Sequence, residues 1–258
     1  MDQLIEKTVE ALRQAGNIIL ECEIDKDQII RKGAANYVTQ VDLQVQKFLV
    51  AQLQQMVPES NIITEESADN RYSLEKPTWI LDPVDGTTNL MRGYRHSAIS
   101  LAFFDDQKPV FGVVYNPFND EMFIAFTGGG AFLNHQKIKV SNNQDIGDCL
   151  IAFGTTPYQR ENAGKTFHIT ENIFRQCLEI RRSGAAALDM AYVACGRVDA
   201  FYEYSLQPWD YAAGMIILAE AGGLSTNWQG DPLGVLAPGS VLATNGVVHN
   251  KMLNFLKD

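Results

Sequence analysis

Basic residues are in short supply: 21 lysines and arginines stand against 31 aspartates and glutamates, a formal net charge of -10. Nucleic-acid affinity comes largely from cations that replace counterions on the phosphate backbone, so this balance argues against nucleic acid as a substrate. Cysteine is sparse too. Cys22, Cys149, Cys177 and Cys195 lie far apart with no C-x-x-C spacing, the pattern expected of reduced thiols in a cytoplasmic protein. No apolar run approaches the roughly eighteen residues that a membrane span requires. The first residues carry acid where a signal peptide needs base, so no membrane partner is expected. His96, His135, His168 and His249 show no H-E-x-x-H spacing, and no G-x-S-x-G elbow occurs. A zinc hydrolase and a serine nucleophile therefore lack support.

What is present is the composition of an enzyme-sized globular chain: 258 residues, 46% hydrophobic and 20% charged. That length allows one large or two modest domains with a real core. Apolar residues recur at helical intervals from Leu4 to Cys22 and from Val41 to Met56. Short strands are expected at Asn61 to Thr64 and Trp79 to Leu81, both running into acid. From Ala98 to Val140, apolar runs punctuated by turn residues predict an antiparallel meander. Gly128-Gly129-Gly130 reads as hairpin punctuation, since no Lys-Ser/Thr follows to make a phosphate cradle. After Leu150, helices and strands alternate, the mark of an α/β half following an α+β half. The expected division is 1–145 and 146–258, sharing one active-site crevice.

The segment Trp79-Ile80-Leu81-Asp82-Pro83-Val84-Asp85-Gly86-Thr87-Thr88-Asn89-Leu90 is the most telling. An apolar strand that delivers two carboxylates must satisfy their charge, because an unpaired carboxylate out of water is costly. A hard cation such as Mg²⁺ or Mn²⁺ between them would do so. The D-x-D of haloacid-dehalogenase phosphatases would put both acids on one face of a strand; Asp82 and Asp85 are one residue too far apart for that. Asp42 and Asp210, read singly, are a helix-face carboxylate and a helix N-cap.

In order along the chain, Asp42, Glu65-Glu66, Asp82-Pro-x-Asp85-Gly-Thr87 and Trp209-Asp210 before Gly222-Gly223 resemble the inositol monophosphatase family of Mg²⁺-dependent, lithium-sensitive phosphomonoesterases. Asp120 to Phe123, Gly130 to Asn134 and Gly196 to Asp199 also look like family segments, so the resemblance covers nearly the whole chain. It implies a layered αβαβα sandwich of the sugar-phosphatase type and, commonly, a homodimer. It implies that Glu65, Asp82 and the backbone carbonyl of Val84 hold one metal, and that Asp82, Asp85 and Asp210 hold a second. Two or three Mg²⁺ per site are expected, with Mn²⁺ as an alternative. Glu65, Asp42 and Thr87 take catalytic roles, Thr87 with Asp42 behind it orienting and deprotonating the attacking water.

The resemblance further places the phosphate on the backbone N–H groups of Gly86, Thr87 and Thr88. The polyol end goes to Glu203, with Asp85, Asp210, the loop Gly184-Ala185-Ala186 and Thr155 contributing. The chain departs from the common pattern at Ala185, where a hydroxyl residue is frequent, and at Gln207, a histidine in the animal enzymes. The implied reaction is hydrolysis of a small phosphate monoester, foremost myo-inositol 1-phosphate. Fructose 1,6-bisphosphate, NADP(H) and 3'-phosphoadenosine phosphates are alternatives on the same fold, and so is a regulatory scaffold that binds transcription machinery. By analogy, the segment 28–36 is expected to close over the site.

Overall fold

The computed structural model describes residues 2–22, 30–31, 37–67 and 73–257. The segment 28–36 expected to close over the site lies outside them, except for the two residues of the short strand β1. The chain opens with α1 (Asp2–Glu21), β1 (Ile30–Arg31), β2 (Tyr37–Val38) and α2 (Gln40–Met56). β3 (Asn61–Thr64), β4 (Thr78–Asp85), the one-turn α3 (Thr87–Met91), β5 (Ala98–Asp105), β6 (Lys108–Asn116), β7 (Glu121–Phe126), β8 (Gly130–Leu133) and β9 (Gln136–Ile138) follow. The remainder is β10 (Leu150–Phe153), α4 (Ala163–Phe174), β11 (Glu179–Arg181), α5 (Ala186–Ala194), β12 (Ala200–Leu206), α6 (Pro208–Glu220), β13 (Leu224–Thr226), β14 (Gly239–Thr244) and α7 (His249–Leu256).

β3 to β9 form a seven-stranded sheet in chain order. β3 joins β4 in parallel and the rest are antiparallel, which is the expected meander. The second sheet has five strands in the order β11-β10-β12-β14-β13, parallel around β10 and antiparallel around β14.

Side chains alternate across a strand, and that alternation divides the core into layers. On one face of the large sheet, Trp79, Leu81, Leu101, Phe103 and Phe111 pack against Leu12, Ala15 and Ile19 of α1 and Val45, Leu49 and Leu53 of α2. The opposite face, with Ile80, Ala102, Phe104 and Phe123, meets α5 and α6, which also pack on Phe201, Val241 and Ala243 of the second sheet. The outer face of that sheet, through Ile151, Tyr202 and Leu242, is covered by Ile169 and Ile173 of α4 and Met252, Leu253 and Leu256 of α7. The result is the αβαβα sandwich. Helices sandwiched between two sheets must be apolar all round, and eight of the nine α5 residues are buried.

The glycine run 128–130 is the hairpin between β7 and β8. Its backbone N–H groups are taken by a carboxylate of the chain itself: Gly128 N donates to Glu220 Oε1 at 2.7 Å and Gly130 N to Glu220 Oε2 at 2.8 Å. His249 is a packing residue, buried between the hydroxyls of Thr226 at 3.0 Å and Thr244 at 2.9 Å.

Candidate active site

β4 is buried along its whole length, Asp82 and Asp85 included. Two residues three apart on a regular strand point to opposite faces. Here they do not. Asp82 pairs with Ser100 of β5 while Asp85 pairs with Ala98, three steps on one strand against two on the other. This is a bulge with one extra residue, and it brings both carboxylates to the same cavity. The missing D-x-D spacing is thus restored by backbone geometry.

The cavity has a volume of about 300 Å³ and is lined by Glu65, Asp82, Val84, Asp85, Gly86, Thr87, Thr88, Gly184, Ala185, Ala186, Glu203 and Asp210. Asp82 is 2% exposed and Asp85 8%. Burial pushes the Asp82 carboxyl well up, and the charges of Glu65, Asp85 and Asp210 push it further. Asp210 is raised in the same way, by burial and then by Glu65 and Asp85. Burial lifts Asp85 to about 7 against the hydrogen bonds it accepts. Concentrated, desolvated negative charge of this kind calls for a cation. As the side chains stand, no three His, Cys, Asp or Glu groups among the described residues close on one point as a finished cage would. The fit to a divalent metal therefore lies in the chemistry of the donors: hard carboxylate oxygens and a carbonyl around one cavity.

Each acid is held by the chain. Asp85 Oδ1 and Oδ2 accept from Ala186 N at 3.2 Å and Ala187 N at 2.8 Å, the first turn of α5. Ala186 thus reaches the site through its amide on Asp85. Asp82 Oδ1 accepts from Val84 N at 2.9 Å. Asp210 stands third in α6, behind Pro208, and closes a capping box in which its Oδ2 accepts from Gln207 N at 2.7 Å. The cap is therefore Gln207. A capping carboxylate spends one oxygen on the helix and keeps the other free.

Beyond the bulge, Gly86 turns the chain with φ 88°, a left-handed conformation. A side chain there would be strained, and its Cβ would lie 3.1 Å from His96 O. The turn starts α3, whose first N–H groups have no intrahelical acceptor. Thr87 Oγ1 lies 2.9 Å from Asp42 Oδ1 and 3.1 Å from Val84 O, one proton facing two acceptors. Asp42 is buried, and its other oxygen accepts from Thr39 N at 2.9 Å and from the Thr39 hydroxyl. Burial raises the Asp42 carboxyl, and the Thr39 and Thr87 bonds oppose the rise.

Glu203 is buried, and its carboxyl is lifted by that burial to about 7. Its donor is Thr156, whose N–H lies 2.7 Å from Oε1. Thr155 is the neighbour expected from the sequence, and its hydroxyl instead accepts from Arg182 Nη2 at 3.0 Å. The lining also includes Tyr158, Arg160, Arg182 and Asp189, none of which the motifs singled out. For Asp189 a signal existed: a lone acid in the small, apolar run Ala186 to Ala194. It is buried and accepts from Ser183 Oγ at 2.6 Å.

A layered fold with a buried carboxylate cavity at the ends of β4 and α6 defines a phosphatase-type scaffold. The chain belongs to the inositol monophosphatase family, whose sequence profile matches residues 1–257. It is 35% identical over 260 residues to a protein named Nus factor SuhB from Escherichia coli K12, covering 100% of this chain and 97% of that one. It is 38% identical over 229 residues to an inositol-1-monophosphatase of Rhizobium meliloti, covering 88% and 86%. Among solved structures, an inositol monophosphatase of Thermotoga maritima superposes with a TM-score of 0.89 at 32% identity, covering 100% of this chain and 97% of that one. The extragenic suppressor protein SuhB of Bartonella henselae superposes at 0.90 with 35% identity, covering 99% of each.

Proposed function

We propose that the protein is a Mg²⁺-dependent phosphomonoesterase acting on small phosphate esters, with myo-inositol 1-phosphate as the first substrate to test. The observation that carries this reading is the β4 bulge, which turns Asp82 and Asp85 into one cavity with Glu65, Asp210 and the Thr87–Asp42 pair. In this reading Glu65, Asp82, the Val84 carbonyl, Asp85 and Asp210 hold the cations. Bound Mg²⁺ supplies the positive charge that neutralises the phosphate, activates water and steadies the departing alkoxide.

The rest of the work falls to the chain. The N–H groups of Gly86, Thr87 and Thr88 take phosphate oxygens at the start of α3. A proton passes from the attacking water to Thr87 Oγ1 while the Thr87 proton passes to Asp42 Oδ1, 2.9 Å away. The bonds from Thr39 keep Asp42 aimed at Thr87. Glu203, anchored by Thr156, accepts from substrate hydroxyls.

Phosphate release from inositol 1-phosphate, fructose 1,6-bisphosphate, NADP⁺ and 3'-phosphoadenosine 5'-phosphate, each with Mg²⁺ and with chelator, tests the assignment. Chelator-sensitive release from at least one is expected. No release from any, by folded and metal-loaded protein, would overturn it. A second reading draws on the name of the Escherichia coli relative, a Nus factor: a binding role alongside or instead of catalysis. The complete carboxylate set supports catalysis, because a scaffold has no use for a cluster of largely buried acids that cost stability.

A further inference from the structure

We propose that Ser183, Asp189 and Asn89 are positioning residues, which hold the loop before α5 so that Asp85 and the phosphate turn keep one fixed spacing; this rests on the phosphomonoesterase reading. α5 has no capping side chain of its own. Ala185 stands at its N-cap position, and the N–H groups of Ala186 and Ala187 go to Asp85, at 3.2 and 2.8 Å. The first N–H groups of a helix need such partners. Asp85 therefore caps α5 from a distant part of the chain, and the place of its carboxylate depends on where the loop delivers those amides.

The loop is tied on both sides. Towards α5, the Ser183 hydroxyl accepts from Ala185 N at 3.3 Å and donates to Asp189 Oδ2 at 2.6 Å, so Asp189 reaches back over the first turn of its own helix. Towards α3, Asn89 Nδ2 donates to Ser183 O at 3.0 Å and to His96 O at 2.7 Å, which uses both of its hydrogens. Asn89 belongs to α3, whose start offers the amides assigned to phosphate. The two turns also touch with no slack. A Cβ on Gly86 would lie 3.3 Å from Ala185 Cβ and from Gly184 O, and one on Gly184 3.2 Å from the Asn89 amide. Asp189 has no part in the mechanism above, although it is 4% exposed and lines the cavity. Its bond to the Ser183 hydroxyl gives this buried carboxylate a task apart from metal ligation.

The test is calorimetric titration of the folded chain with Mn²⁺, without substrate and well below the melting temperature. Asp189→Ala and Ser183→Ala should each raise Kd about tenfold, the usual effect of losing a group that orients a metal ligand. Asp189→Asn keeps an oxygen for the Ser183 hydroxyl and should recover most of that loss. Ser183→Ala with Asp189→Ala should bind no more weakly than either single variant, because both break one link. Ser183→Ala, at a half-buried position, carries the test if Asp189→Ala fails to fold. Asn89→Ala should weaken Mn²⁺ and, in titrations of the metal-loaded protein, inorganic phosphate together; a change in one without the other overturns the link between the two turns. Direct ligation by Asp189 would make Asp189→Asn as damaging as Asp189→Ala and the serine change silent, which overturns the proposal. So do variants that lower the melting temperature and leave Kd unchanged. Native protein that binds Mn²⁺ yet hydrolyses no ester would instead overturn the phosphomonoesterase reading, and native protein that binds no Mn²⁺ would overturn both.

Discussion

Removing divalent metal should make this protein lose stability as pH rises, the reverse of ordinary acid denaturation. Asp85 titrates at about 7 in the folded chain against 3.8 for a free aspartate, and Glu203 at about 7 against 4.5, in each case because burial disfavours the charged form. A raised folded pKa means that the native state binds the proton more tightly than the unfolded chain does. The associated stability is complete below pH 4 and is lost as pH climbs through 7. The gap corresponds to about 4 kcal/mol for Asp85 and about 3 kcal/mol for Glu203. Asp82, Asp189 and Asp210 are shifted in the same direction. Since a domain holds roughly 5–15 kcal/mol in all, even half of this is large. Urea unfolding in chelator at pH 5 and pH 8 is the assay, repeated with saturating Mg²⁺. The chelated protein should be weaker at pH 8 by at least about 2 kcal/mol, allowing for relaxation around the charges. Mg²⁺ should stabilise most at pH 8, where the carboxylates are charged. A chelated protein equally or more stable at pH 8 would refute the reasoning.

Asp85→Asn should keep the fold and stabilise the chelated protein at pH 8, while cutting turnover by about a hundredfold or more because one negative charge leaves the metal donors; kcat in Mg²⁺ close to that of the native protein would sink the assignment. Thr87→Val, which removes the hydroxyl 2.9 Å from Asp42, should lower kcat by about 10²-fold with little change in KM; an effect on KM alone would make Thr87 a binding group. Glu203→Ala should reorder substrates more than it slows hydrolysis of a small generic phosphate, and an equal fall on all of them would make Glu203 structural. Glu220→Gln should cost about 1–3 kcal/mol by denaturant unfolding, because one of the two N–H groups at Gly128 and Gly130 is left facing an amide donor; kcat should not move.

The elements with one solvated face were legible from their spacing: α1 and α2 by the 3.6-residue repeat, the meander by its turn residues. β4 was visible only as far as Leu81, because a strand buried on both faces has no alternation to mark its end. Its continuation to Asp85 depends on the bulge at Pro83-Val84, which no local pattern announces. Likewise the order β11-β10-β12-β14-β13 arises from long-range pairing. At the site, acids in sequence motifs were found, whereas the groups that hold them were missed. Ala187 N, Thr156 N and Gln207 N act through the backbone, and a backbone N–H carries no sequence signature. Thr155 and Thr156 show the limit well: both can donate, and only the local turn, with Thr156 at φ 41°, decides which one faces Glu203.

The amides of α5 that grip Asp85 lie about a hundred residues further along the chain, and Asp210 reaches the same cavity from α6, the other helix of the middle layer. No continuous half of the polypeptide holds a working set of acids in position. A chain stalled during synthesis, clipped between the sheets or docked out of register would carry the motifs and none of the chemistry. On the phosphomonoesterase reading, catalytic competence is a readout of completed assembly, so turnover per molecule would serve as a proofreader of the folded state in any mutagenesis of this protein.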